Sequence, residues 1–481
     1  MEWYEKIVGR EAEKKLLQRY QNSDRSELIA LYGRRRVGKT YLIRCTFHDE
    51  FDFSFTGMYE TPKAIQISRF AKQLGLNTTP KDWFEAFDLL RDYLLSIKKE
   101  KVTVFLDELP WMDTKNSNFL SAFSIFWNTW PMGTTLLKLY VCGSSTTWML
   151  NKFIGDKGGL YGRTSRSIYL RPFSLLETEQ YLTSVKNFSL THRQVLDIYM
   201  IMGGIPYYLD MLDHELSIDQ NIDALFFAPN APLRTEYEFL FRSLFQNGDR
   251  YRKVIEILSQ KLKGMTRKEI LAVLKNDGGS LSKVLYDLAA CDFIRSYSAI
   301  GKKTKGCIYQ LTDLFCLFHI RFMNREREQD EHYWSNLPEG KKNAWSGYAF
   351  EQVCLHHIPE IKAKLGISGV FCNVFSWNTA PYTDEDGTKW DGGQIDLLID
   401  RRDDVINICE MKYSSEQYVI TKDYEQHIMD RAQLFRHSTH TRKSLVNTFI
   451  TTYGVKKNIH SAEIHKEVTM DDLFRSSEEL R

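Results

Sequence analysis

Followed from the N-terminus, the apolar positions of this chain first fall into short unbroken runs separated by stretches of helical periodicity. Glu27-Leu28-Ile29-Ala30-Leu31-Tyr32 is one such run, and helix formers restart at Thr40-Tyr41-Leu42-Ile43-Arg44. Further runs of strand length occupy 51–55, 101–106, 136–142 and 167–170, with helical stretches at 65–74 and 83–97 between them. Strands buried on both faces read as continuous apolar runs, and their alternation with helices predicts a parallel sheet. From residue 174 to about 247 the pattern is helical, broken at Met202-Gly203-Gly204-Ile205-Pro206.

A second pattern starts at Tyr251. Val254, Ile255 and Leu258 mark one helix, Ile270, Leu271 and Leu274 a second behind a capping Thr266, and Leu281, Val284, Leu285 and Leu288 a third after Gly278-Gly279-Ser280. Phe293-Ile294 and Ile308-Tyr309-Gln310-Leu311 would then pair as strands across the lysine-bearing turn 301–306. Residues 324–342 are charged and aperiodic and read as a linker, with a new domain near Trp345. There, Gln394-Ile395-Asp396-Leu397-Leu398-Ile399 and Val405 to Lys412 read as strands about a polar turn at 401–404.

Composition changes this picture little. A chain of 481 residues, 43% hydrophobic and 26% charged, has core enough for several globular domains. Sixty-four basic against sixty-two acidic residues leave +2, so any contact with nucleic acid must be local rather than driven by a global field. Eight scattered cysteines without a C-x-x-C pair look like reduced core residues, which argues for the cytoplasm and against zinc. No apolar run approaches the ~18 residues of a membrane span, and the first residues lack the form of a signal peptide, so a soluble cytoplasmic protein is expected.

The chemistry enters between the first strand and its helix. Gly33-Arg34-Arg35-Arg36-Val37-Gly38-Lys39-Thr40 fits G-x-x-x-x-G-K-[ST] without a gap. The glycines let backbone N–H groups turn around a phosphate, Lys39 neutralises the β/γ oxygens and Thr40 offers a hydroxyl to Mg²⁺. A strand before and a helix after place the anion at a helix N-terminus. Gly33, Val37, Gly38, Lys39 and Thr40 are thus the expected nucleotide-binding set, for ATP and Mg²⁺. The strand ending Leu106-Asp107-Glu108 supplies the other half: Asp107 for the ion through its water shell, Glu108 to polarise the attacking water. An Asp-Glu pair alone would pass for a solvated strand end; the upstream P-loop favours the functional reading. Gly143-Ser144-Ser145 closes another strand, and the two serines are expected to sense the γ-phosphate.

With the GRRRVGKT loop, the FLDELPW strand end, the VCGSS strand and the GRTSRSIYLRPFS segment in view, the chain resembles the archaeal-type AAA+ ATPases of the STAND-like branch. The resemblance implies a multidomain α/β protein: a parallel P-loop core at 1–172, a helical lid at 173–247, a winged helix at 248–322, a linker at 323–344 and a restriction-endonuclease-like α/β domain at 345–481. It implies that Arg163 or Arg166 is an arginine finger, which leaves a homo-oligomer open. The lid motif carries no arginine for the nucleotide, and the third helix of the winged-helix pattern shows only Lys283 facing Asp287, so coupling between domains is favoured there over base reading.

The final 136 residues, with Asp396, Glu410 and Lys412, resemble the PD-(D/E)xK nuclease core, although Asp396 follows isoleucine rather than proline. By that resemblance Asp396 and Glu410 bind Mg²⁺ or Mn²⁺, Lys412 activates water against a phosphodiester, and Glu351 matches an upstream acidic position. The expected partner is nucleic acid, DNA foremost, and ATP turnover would gate the cut. A nucleotide-switched scaffold with a dead nuclease-like domain is the alternative. Face parity discriminates: an even loop at 401–404 would put Asp396 and Glu410 on opposite faces, whereas an odd loop or a bulge puts them together.

Overall fold

The computed structural model of this chain describes residues 7–133, 135–245, 247–274, 279–297, 307–323 and 330–476. Turn 301–306 and the first part of the expected linker, 324–329, lie outside them. The described residues fall into two units, those of Met1–Pro172, Ile205–Tyr207 and Leu240–Gly248, and those of Phe173–Gly204, Tyr208–Phe239 and Asp249–Arg481.

In the first unit α1 (Glu11–Gln21) precedes β1 (Glu27–Tyr32), α2 (Lys39–Thr46) and β2 (Phe53–Thr56). Then come α3 (Lys63–Gln73), α4 (Trp83–Ser96), β3 (Lys101–Asp107), α5 (Leu109–Met112), α6 (Phe119–Asn128), β4 (Leu136–Gly143), α7 (Thr146–Trp148) and β5 (Arg166–Tyr169). The five strands form one sheet in the order β2-β3-β4-β1-β5, every pairing parallel. β1 lies inside the sheet between β4 and β5, so the loop leaving it emerges at the carboxyl edge between those two neighbours, where open α/β sheets bind ligands. Trp83 and Phe87 of α4 and Phe119 and Phe123 of α6 are fully buried against Leu28, Val104 and Leu139. Each such side chain contributes roughly 2 kcal/mol by leaving water, which fixes the helices on that face.

The second unit opens with α8 (Leu175–Ser184), started by a capping box in which the Ser174 side chain accepts from Glu177 N–H and Glu177 reaches back. α9 (His192–Met202) follows and ends on Gly203 and Gly204, both at positive φ. α10 (Pro206–Leu209), α11 (Ile218–Ile222) and α12 (Glu236–Leu244) continue the helical block along the chain, with the first two residues of α10 and the last five of α12 counted in the first unit. Next stand α13 (Gly248–Ser259), β6 (Met265–Thr266), α14 (Arg267–Leu274), α15 (Leu281–Ala290), β7 (Ile294–Tyr297) and β8 (Ile308–Leu311), the strands forming an antiparallel sheet β6-β8-β7.

After α16 (Leu314–Phe322), α17 (Glu339–His356) and α18 (Ile358–Lys364) come β9 (Cys372–Thr379), β10 (Tyr382–Thr383), β11 (Lys389–Trp390), β12 (Gly393–Arg401), β13 (Val405–Lys412), β14 (Tyr418–Val419), α19 (Lys422–Thr439), β15 (Ser444–Thr451), β16 (Val455–Lys456) and β17 (Lys466–Thr469). The main sheet runs β17-β15-β13-β12-β9: antiparallel on the β9 side, parallel from β13 to β17. Ile406 and Ile408 alternate on one face of β13 and pack with Leu434 and Phe435 of α19. Glu410 and Lys412 continue that same face toward the strand end. Among the described residues no helix is long and apolar enough to cross a membrane.

Candidate functional site

The P-loop sits between β1 and α2. Gly33, at φ 152°, touches the sheet itself: a Cβ there would stand 2.3 Å from the Leu170 carbonyl oxygen, so only glycine lets the chain after β5 pass so close. Gly38, at φ 89°, caps α2 and needs glycine for its backbone conformation rather than for space. The buried Lys39 ammonium donates to the carbonyls of Gly33 and Arg34, both at 2.9 Å, and spans the loop where a phosphate would lie. Val37 is buried beneath the loop, its carbonyl accepting from Arg10 at 3.4 Å. Arg10 also donates to the Arg171 carbonyl at 2.7 Å, tying the segment ahead of α1 to the chain beyond β5.

The Thr40 hydroxyl donates to Asp107 at 2.8 Å, so the two halves of the expected site, at the ends of β1 and β3, meet over the end of the intervening β4. Asp107 is 4% exposed, and burial, then the Glu108 charge, push its carboxyl up to about 6. A buried carboxylate beside a hydroxyl, short of positive charge, fits a divalent ion, and Lys39 fits the phosphates it would bridge. Glu108 stands in the left-handed region at φ 48°. Its carboxylate accepts from both the backbone N–H and the hydroxyl of Ser144, at 2.9 and 2.8 Å. Ser144 was expected to face the γ-phosphate; in this structure its hydroxyl is spent on Glu108, because β4 lies beside β3 and the two strand ends meet. Ser145 makes a carbonyl bond to Met149 N–H instead. Arg163 and Arg166 are exposed near the start of β5.

A pH dependence follows from Asp107. Its folded-state value lies above the 3.8 of an ordinary aspartate, so the folded state holds the extra proton between those values and loses stability as pH rises through about 6. Asp107→Asn is expected to stabilise the nucleotide-free protein by up to about 3 kcal/mol at pH 7.5, a gain that vanishes below about pH 4. Urea melts at the two pH values check this; an asparagine variant no more stable at pH 7.5 refutes it.

The second site lies on β12 and β13. Leu397 pairs with Cys409, and Asp400 with Ile406, so the strands are joined by the three residues 402–404, with Asp404 at φ 61°. The loop is odd, as parity required, and the paired ladder runs as far as Leu397 and Cys409, one residue short of Asp396 and Glu410. The pairing of β12 with β9 also shifts between Ile395 and Leu398, so Asp396 and Leu397 together span a bulge on that edge. Glu351 on α17 is pushed up to about 7 by burial and by the carboxylates of Asp396 and Glu410. Glu351 therefore lies in the field of both carboxylates, and the Lys412 charge offsets them in part. Asp396 accepts from the Gln394 amide at 2.5 Å and also lies in the field of Arg295 on β7.

The expected metal set of Glu351, Asp396 and Glu410 needs a correction. Among the described residues no three such side chains stand together as a metal-holding group. The physical reason is on Glu410: Lys412 at 2.8 Å and the Tyr424 hydroxyl at 2.6 Å take one oxygen, and the Arg431 guanidinium takes the other. Burial works against the Glu410 charge, yet Arg431 and Lys412 outweigh it and hold the carboxyl at about 2. Tyr424 and Arg431 on α19, like Arg10, escaped sequence reasoning. One signal was available for the first two: seven residues apart, they occupy one face of a helix.

Geometry and fold together define a P-loop ATPase domain. Residues 7–212 match the family model described as an ATPase domain predominantly from Archaea, so over those residues the chain carries an ATPase domain of the archaeal type. An uncharacterized protein of Methanocaldococcus jannaschii is 26% identical over 385 residues, 77% of this chain and 81% of that protein. An uncharacterized ATP-binding protein of the same organism is 54% identical over 38 residues, 8% of this chain and 64% of that protein. Among solved structures, the Walker-type ATPase of Pyrococcus abyssi matches 66% of this chain and 97% of its own, at 17% identity and TM-score 0.46. The ORC2 protein of Aeropyrum pernix matches 65% and 93%, at 13% identity and TM-score 0.41.

Proposed function

We propose that this protein is a cytoplasmic AAA+ ATPase of the STAND-like branch whose nucleotide cycle gates a C-terminal metal-dependent nuclease domain acting on nucleic acid, DNA foremost. The observation that supports the nuclease half is the odd three-residue connection between β12 and β13, which gives Asp396 the face parity of Glu410 and Lys412, with Glu351 in the field of both carboxylates. Two carboxylates and a lysine on one sheet, with a third carboxylate offered from α17, are the residue types of a phosphodiester-cutting site. In the ATPase half, Lys39 would hold phosphate, Thr40 and Asp107 would hold Mg²⁺, which supplies charge to the phosphates, and Glu108 would polarise water from the position in which Ser144 holds it. At the second site Glu351 and Asp396 would hold Mg²⁺ or Mn²⁺, which supplies charge to the scissile phosphate, and Glu410 joins them only when released from its cations.

The helices from α8 to α12 serve as lid and the α13–β8 module as winged helix. Coupling runs through α9. The Tyr413 hydroxyl, one residue past Lys412, donates to Asp197 of α9 at 3.0 Å, and the Arg193 guanidinium covers the Tyr413 ring at 4.2 Å. From α9 the chain passes Gly203 and Gly204 into Ile205–Tyr207, where Tyr207 lies under the Arg36 guanidinium of the P-loop at 4.1 Å. The test is incubation of purified protein with plasmid, Mn²⁺ and ATP: degradation lost on Lys412→Ala supports the reading, and intact plasmid throughout opposes it.

The exposure of Arg163 and Arg166 suits a finger offered to a neighbouring subunit in a homo-oligomer. ATPase activity per subunit is then expected to rise several-fold with protein concentration and to stay low in the arginine variants. Flat specific activity across the assembly range makes the arginines structural. A second reading, a nucleotide-switched scaffold with a catalytically dead C-terminal domain, has the fully occupied Glu410 carboxylate in its favour.

A further inference from the structure

Gln66 on α3 is fully buried, and both ends of its amide are engaged. Its Oε1 accepts from the Met58 N–H at 3.2 Å, and its Nε2 donates to the carbonyls of Met58, Thr61 and Trp111 at 3.3, 3.2 and 2.6 Å. The contacts to Met58 and Thr61 fasten the segment that leaves β2. The shortest one reaches α5, the helical turn that follows Glu108 directly. Those two pieces of chain are pressed together: the Gly57 N–H donates to the Asp107 carbonyl at 2.9 Å, and a Cβ on Gly57 would stand 2.6 Å from the Glu108 carbonyl oxygen and 3.3 Å from the Trp111 Cβ. The Trp111 N–H in turn donates to that Glu108 carbonyl at 3.0 Å. Glu108 itself stands at φ 48°, a conformation that a glutamate keeps only where its neighbours hold it. Ser144 holds the carboxylate end of the residue, and the turn fastened by Gln66 holds its backbone end.

We propose that Gln66 is a positioning residue for ATP hydrolysis, locking the turn after Glu108 onto the segment that leaves β2 and so aiming the Glu108 carboxylate. Three carbonyls and one N–H converge on it, a set that an amide's donors and acceptor match and that a glutamate or methionine of the same length does not. Its hydrogen bonds run to backbone, so its effect reaches the attacking water through Glu108. The same turn carries Trp111, whose ring lies 5.9 Å from the Arg35 guanidinium of the P-loop and 5.6 Å from the Tyr59 ring, so the lock also joins the phosphate loop to the turn that follows Glu108. The inference rests on the ATPase reading in which Glu108 polarises water.

The experiment measures fluorescent-nucleotide affinity and single-turnover phosphate release on full-length protein, for Gln66→Met alone and combined with Glu108→Gln. Methionine keeps the length of the side chain and removes its hydrogen bonds. Alone, Gln66→Met is expected to slow hydrolysis about 10–100-fold at unchanged ATP affinity, the cost of moving a reacting group by about an ångström. Added to Glu108→Gln it is expected to cost nothing further, because its effect passes through the residue already replaced. A merely structural glutamine would lower nucleotide-binding capacity and turnover together, on either background. Hydrolysis as fast as in wild type, a parallel loss of binding capacity, or the same loss repeated on Glu108→Gln overturns the role and leaves the ATPase reading standing. Full turnover in Glu108→Gln, or none in wild type, removes that reading and the role with it. If Gln66→Met does not fold, Gln66→Glu, which keeps an acceptor for the Met58 N–H and lacks the amide's donors for the carbonyls, decides on the same measurements: slower hydrolysis at unchanged affinity is expected, and an unchanged rate overturns the role.

Discussion

Lys39→Ala is expected to abolish ATP binding, and Glu108→Gln to leave binding intact while stopping turnover. The Lys39 ammonium is buried and held by the carbonyls of Gly33 and Arg34, so it is oriented before the nucleotide arrives. Its replacement removes charge-assisted hydrogen bonds to phosphate, a loss on the order of 100-fold in affinity. It also frees two loop carbonyls, which acts in the same direction. Thr40→Ala should follow, since the hydroxyl bound to Asp107 would otherwise turn to Mg²⁺. The Glu108 carboxylate is held by the backbone N–H and hydroxyl of Ser144, at the end of β4. Glutamine at 108 keeps the shape and loses the base, so kcat should fall by about 10²–10³-fold at unchanged ATP affinity. Fluorescent-nucleotide titration and phosphate release measure the two effects separately. Equal ATP affinity in Lys39→Ala and wild type would remove the site.

The ATPase half was open to sequence reading because its chemistry is local. The P-loop is eight consecutive residues, and Asp107-Glu108 ends a strand that stays apolar up to that point. A parallel sheet in which only β4 separates β1 from β3 brings them together, and alternating strands and helices already implied a parallel sheet. Ser144 shows where this reasoning stops. Its position after β4 was legible, but its partner was not: a hydroxyl at that edge can serve phosphate or Glu108, and the choice depends on a few ångströms across neighbouring strands. Parity made the C-terminal hairpin legible, since two carboxylates at one site exclude an even loop.

The residues of α19 were not legible for a different reason. In the sequence Lys422–Thr439 the polar positions look like a solvated helix face, and nothing distinguishes Arg431 from Arg436. Burial separates them, and burial depends on where β13 places Glu410. Arg10 is a similar case: an arginine in left-handed conformation ahead of α1, whose two carbonyl partners lie 27 and 161 residues away.

Asp396→Asn is expected to lower Mn²⁺-dependent plasmid cleavage by at least about 100-fold, as is Lys412→Ala, with ATP turnover unchanged. Both substitutions are small and lie at partly exposed positions of β12 and β13, so the fold should survive them. The sharper form of the test shifts the carboxylate by one residue. Leu397, the next position on β12, is fully buried and pairs with Cys409, on the face away from Glu410 and Lys412. Asp396→Asn combined with Leu397→Asp therefore restores the charge to the strand without restoring it to the site. It also buries an unpaired carboxylate, so the double variant should be less stable than the single one and equally inactive. Asp396→Glu keeps the face and lengthens the reach, and should retain part of the activity. Cleavage that survives Asp396→Asn, or that returns with an aspartate at 397, would mean that the shared face of Asp396 and Glu410 is not what cuts, and the scaffold reading would then stand.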